Sequence, residues 1–178
     1  MIKKVLVCVS LVALATSAFA VDTGAYVRGD VGFANIYRKE AGVTQKYHQK
    51  PTYNLGIGYK FDKNFRADLN GQMTKSKEAN KVHYKSRIAS VRGYYDFDNS
   101  SMFTPYLTAG LGYVQNKVTL PVKTTNHHYG YIVGFGSLIN VAKNVDLDLG
   151  YRHSRNVNSG KKVSGYVHKI SAGALFSF

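Results

Sequence analysis

Tryptophan is absent from this chain, cysteine occurs once (Cys8) and proline three times. One thiol excludes an internal disulfide. Scarce proline with abundant tyrosine, phenylalanine and glycine favours strands and tight turns over helices. Acidic residues are also few, 10 against 24 lysines and arginines, which leaves a formal charge of +14. Past the N-terminus there is no run of about 18 apolar residues, so no helix is expected to cross a bilayer. Sustained helical periodicity and low-complexity tracts are missing as well.

Residues 1–4 are basic, 5–15 apolar, and Ala18-Phe19-Ala20 is a small-x-small site before Val21. This pattern predicts a secretory signal peptide over residues 1–20. Cys8 lies inside it, too early for a lipoprotein cleavage site. Residues 21–178 then form one domain of about 158 residues without a thiol.

Two-residue alternation runs through that domain. Residues 25–36 place Val27, Val31 and Phe33 on one face and Arg28, Asp30 and Gly32 on the other. Tyr53, Leu55, Ile57 and Tyr59 oppose Asn54, Gly56, Gly58 and Lys60; Phe65, Ala67 and Leu69 oppose Arg66, Asp68, Asn70 and Gln72. The same rule holds near 89–97, 106–113, 129–136 and 145–152, where Val145, Leu147 and Leu149 face away from Asp146, Asp148 and Arg152. With the C-terminal segment, eight strands emerge, each expected near the 9–11 residues of a tilted transmembrane strand.

A soluble lipocalin-like barrel would also alternate, with its apolar face inside. The connections separate the two. Polar stretches at 37–50, 74–83, 116–128 and 155–164 alternate with short turns at 62–64, 98–102 and 140–144. That is the rhythm of extracellular loops and periplasmic turns. The C-terminal Ser171, Gly173, Phe176 and Phe178 resemble the assembly signal by which a last strand closes an outer-membrane barrel. The expected fold is all-β, an eight-stranded antiparallel up-and-down transmembrane β-barrel with four long outer loops and three short periplasmic turns. It is expected to be integral to the bacterial outer membrane with its loops extracellular.

Tyr94-Tyr95-Asp96-Phe97, the segment 104–113 and the segment 144–152 resemble the opacity-protein and neisserial surface protein A group of eight-stranded barrels. Gly58-Tyr59 with the segment 64–69 is similar to the small rickettsial surface adhesins. The likeness is carried by strands and turns, so it bears on architecture more than on partner. It implies host-cell glycans, heparan-like polyanions or a vitronectin-like glycoprotein as partners.

With the polar face inward, the lumen receives Arg28, Lys60, Arg66, Arg92, Arg152 and Lys169 beside Asp30, Asp68, Asp96, Asp146 and Asp148. An eight-stranded barrel has room only for its own side chains, so these ions are expected to pair as a plug. An ion path is the alternative. The net positive charge falls in the loops, where Lys75, Lys77, Lys81, Lys161 and Lys162 stand out, with Tyr47 and His127 as further contacts. Such a rim attracts polyanions at long range; nucleic acid is not expected among them. The competing occupant is the lipopolysaccharide of the same leaflet, near Lys85 and Arg87. Outer membrane lipids and the barrel assembly machinery complete the expected partners.

No catalytic set is expected. His153-Ser154 superficially resembles the His and Ser of lipid A deacylases. However, the intervening residue of that group's pattern is missing, and no carboxylate side chain follows Asp148 to orient the histidine. His127-His128 lacks a nearby Asp, Glu or Cys, so no metal or other cofactor is expected. The function read here is a surface adhesin or ligand-binding protein; the alternative is a structural protein or minor porin without a dedicated host ligand.

Overall fold

A computed structural model describes residues 23–40, 43–77, 83–119, 123–157 and 164–178. The predicted signal peptide, Lys81, Lys161 and Lys162 lie outside them. Eight strands, β1 (Gly24–Glu40), β2 (Val43–Lys60), β3 (Phe65–Lys77), β4 (His83–Asp96), β5 (Phe103–Thr119), β6 (Lys123–Ala142), β7 (Val145–Val157) and β8 (Ser164–Ser177), follow one another in a closed antiparallel barrel. Closure is direct: β1 pairs with both β2 and β8, and the Phe178 amide donates to the Ala25 carbonyl at 3.0 Å. A closed ladder leaves no unpaired edge, which is what a strand protein needs in lipid.

The barrel is inverted relative to a soluble one. Leu55 is 73% exposed, Leu69 57% and Leu147 43%, whereas Arg66 is 1% and Asp148 2% exposed. Apolar side chains therefore line the outside and ions the inside, which rules out the lipocalin-like arrangement. Two aromatic bands bound the apolar wall. Tyr59–Phe61 and Phe65–Tyr95–Phe97 lie at the periplasmic end. Tyr113, His127 and Tyr129 with Tyr37, Tyr166 and His168 lie at the opposite end. Rings with a polar tip settle at the two membrane interfaces.

The strands are longer than expected, 13 to 20 residues instead of 9–11. Residues 43–50 pair with β1, and β5 and β6 stay paired to Thr119↔Lys123, so much of the sequence expected as loop continues the ladder. Past the apolar band hydrophobic alternation ends while the pairing continues. The period-2 signal marks the bilayer and not the strand end. The periplasmic turns are short as expected. In the first, the Asp62 carboxylate accepts the Asn64 and Phe65 amides, each at 2.7 Å.

Candidate functional site

The inward positions form one network. At the periplasmic end Lys60 Nζ lies 3.6 Å from Asp146, and Arg66 Nε donates to both Asp96 oxygens at 3.0 and 2.7 Å. In the middle, Arg28 binds Asp148, lies 3.4 Å from Asp68 and 3.3 Å from Asp30, and donates to the Tyr94 hydroxyl at 2.6 Å. Arg92 reaches Asp68 at 3.3 Å, and Arg152 reaches Asp148 at 3.5 Å and the Ser171 hydroxyl at 2.7 Å. Lys169 donates to Asp30 at 2.6 Å, a carboxylate that also accepts from Asn54 at 2.8 Å. Each carboxylate meets at least one cation, because charges in a lumen this narrow have no bulk water to turn to.

Three tyrosines complete the plug, and the sequence alone did not single them out. Tyr26, Tyr94 and Tyr106 point inward and surround the Arg66 guanidinium, whose carbon lies 3.9 Å from the Tyr94 ring centre, 4.9 Å from Tyr106 and 5.9 Å from Tyr26. The two terminal nitrogens of Arg66 have no hydrogen-bond partner, so ring faces take the place of acceptors. The Tyr106 hydroxyl in turn donates to Asp148 at 2.6 Å. The register makes room for them: Tyr26 stands across from Gly58 and Tyr106 across from Gly136. A Cβ at either glycine would overlap the facing ring. Neither glycine can be replaced without moving the plug.

At the outer end the register groups the basic residues more tightly than their spacing suggested. Lys75, Lys85 and Lys117 occupy one cross-strand row over β3, β4 and β5. The next row outward holds Lys77, His83, Thr119 and Lys123. Like charges directly opposite one another disfavour the ladder, so these rows are not there for stability. Tyr47 and His127, expected in loops, both lie in strands; Tyr47 pairs with Ile36, and His127 stacks on Tyr113 on the outer wall. His153 joins an outward cluster with Tyr166 and His168. Its neighbour Ser154, one residue along the strand, points to the opposite face. No group of three or more potential metal ligands occurs among the described residues.

Of the C-terminal quartet, Ser171 is buried in the lumen network, and Phe176 and Phe178 are partly exposed on the outer wall. Gly173 stands opposite Asp30, where a Cβ would collide with the backbone of β1.

Comparison with known proteins places these features in a context. The model of the outer membrane protein beta-barrel domain matches residues 5–178. A candidate adhesin of Rickettsia felis is 31% identical over 165 residues, covering 75% of this chain and 74% of its own. The crystal structure of neisserial surface protein A superposes with a TM-score of 0.71 at 26% identity, covering 87% of this chain and 97% of that one. Ail of Yersinia pestis, solved with the heparin analogue sucrose octasulfate, has a TM-score of 0.56 at 18% identity over 86% of this chain and 99% of its own.

Proposed function

The chain belongs to the outer membrane protein beta-barrel domain family, and from that premise we propose that it is a surface adhesin that binds polyanionic host ligands through its basic outer end. The observation that carries this reading is the pair of basic rows, Lys75–Lys85–Lys117 and Lys77–His83–Thr119–Lys123, set above the apolar band. Lys81, Lys161 and Lys162 add to the same outer end in sequence, with Tyr47 and His127 as further contacts. Sulfated glycans or an acidic glycoprotein of vitronectin type supply the complementary charge. The adhesin candidates among the relatives support the reading, and Ail offers a barrel of the same fold with a sulfated ligand.

The test is a charge reversal. Replacing Lys75, Lys77, Lys161 and Lys162 with glutamate abolishes binding of the refolded protein to heparin and to serum glycoproteins, while the shift of the folded band on a gel is kept. Unchanged binding would reject the electrostatic reading. A catalytic role is not proposed: His153 and Ser154 diverge, and no carboxylate side chain follows Asp148. We assign the barrel assembly machinery as the partner of the strand ending in Phe176 and Phe178. The competing reading, a minor porin, meets a lumen filled by paired ions and tyrosines.

A further inference from the structure

The outer wall carries a groove of about 530 Å³ that neither the plug nor the basic rim uses. Its floor is Gly71 and Ala89, adjacent in one row between the larger Leu55 and Tyr113. Leu69, Val91 and Leu111 form the wall toward the periplasm, and Tyr113 closes the side. Leu69, Val91 and Leu111 are all more than half exposed on the lipid-facing surface. A side chain at Gly71 would obstruct nothing, since a Cβ there meets no atom within 4 Å. The notch is therefore not a packing requirement of the barrel. Elsewhere on the sheet, at Gly58 and Gly136, the glycine makes room for a ring of this chain; at Gly71 no atom of the chain fills the space.

What lies above the groove identifies the occupant. Tyr113 and Tyr129 belong to the outer aromatic band, so the groove sits at the depth of the outer-leaflet acyl chains just under the headgroups. One row up, Arg87 stands between Met73 and Gln115 on the same face, about 7 Å from Ala89 along the strand. Arg87 is exposed and, among the described residues, has no carboxylate partner. The next row is Lys75–Lys85–Lys117. From bilayer outward the order is apolar notch, the Arg87 guanidinium, then the lysine row. We infer that this face is a seat for one molecule of a phosphorylated outer-leaflet glycolipid of the lipid A class. An acyl chain lies over Gly71 and Ala89, and a phosphate is met by Arg87 in the bidentate geometry open to a free guanidinium. The seat is separate from the adhesin reading, because the groove and Arg87 face sideways into the leaflet.

Native mass spectrometry of the refolded full chain tests it, with bisphosphorylated lipid A, the same lipid dephosphorylated, a phosphatidylethanolamine and inorganic phosphate as probes. Wild type keeps one bisphosphorylated lipid A through detergent dilution. Gly71→Leu weakens that retention about tenfold or more, the equivalent of losing contact with about two methylenes. Arg87→Gln keeps the acyl contact but no longer separates the phosphorylated from the dephosphorylated lipid. The gel shift of the folded barrel certifies each variant, and Ala89→Leu fills the same notch should Gly71→Leu fail to fold. Equal lipid A retention by wild type and a filled-groove variant overturns the proposal. So does retention of inorganic phosphate alone, or cross-linking of two copies through Gly71→Cys, which would make the notch a dimer contact. Heparin binding unchanged in Gly71→Leu separates this seat from the adhesin surface.

Discussion

Arg66 shows how a single residue can depend on its neighbours. Its Nε is held by Asp96 while its remaining nitrogens lie against Tyr94 and Tyr106, so all of its interactions are internal. Removing one partner of a buried ion pair strands the other charge and costs about 3–5 kcal/mol, more than the pair itself contributes. Asp96→Asn should therefore lower the stability of the lipid-embedded barrel by an amount in that range. The double change Arg66→Met with Asp96→Asn should recover most of the loss. Urea unfolding in lipid vesicles, followed by tyrosine fluorescence, measures both, and a double variant as weak as the single one contradicts the account. The alternation of Arg66 and Asp96 with apolar residues was plain in the sequence. Which carboxylate meets Arg66 was not, since Asp96 lies 30 residues away and comes close only through the β3–β4 pairing.

The strand is the element on which lipid and water make opposite demands. In β3, Leu69 faces the bilayer and its neighbour Asp68 faces the lumen, where Arg28 and Arg92 neutralise it. An arginine at a lipid-facing position near the membrane midplane costs roughly 2–4 kcal/mol. Leu69→Arg should show a loss of that size in the same unfolding assay, and Leu69→Ile close to none. The hairpin extensions obey a different rule. Between Gln115↔His127 and Thr119↔Lys123 the β5–β6 ladder persists although the residues no longer alternate in hydrophobicity. The hydrophobic alternation that marks a strand is missing there, and the polar stretch 116–128 therefore read as loop.

Taken as a whole, the molecule is a ring of strands whose interior is lined by paired ions and whose basic cross-strand rows sit at one end. The lumen is packed with Arg28, Arg66, Arg92, Arg152 and their carboxylates, and a barrel of eight strands is just wide enough for its own side chains. Planar-bilayer recordings of the refolded protein should be silent at ordinary voltages. A steady ion-selective current in wild type would favour the porin reading and displace the plug. The basic outer end acts over longer range, so the polyanion binding proposed for it should weaken steeply as ionic strength rises from about 0.01 to 1 M, where the Debye length shrinks from about 30 to about 3 Å. Salt-independent binding would point to contacts other than charge.

Composition, the two-residue period and the rhythm of long and short connections determined the class of fold, the number of strands and the face each residue takes, because alternation is imposed locally by the pleat and the bilayer. They also determined that Arg28, Asp30, Asp148 and Arg152 would share the interior. Register, which depends on how distant strands slide against each other, was decided only in the tertiary structure. That sliding set Lys75, Lys85 and Lys117 in one row, closed three tyrosines around Arg66 and left the space over Gly71 open to the membrane.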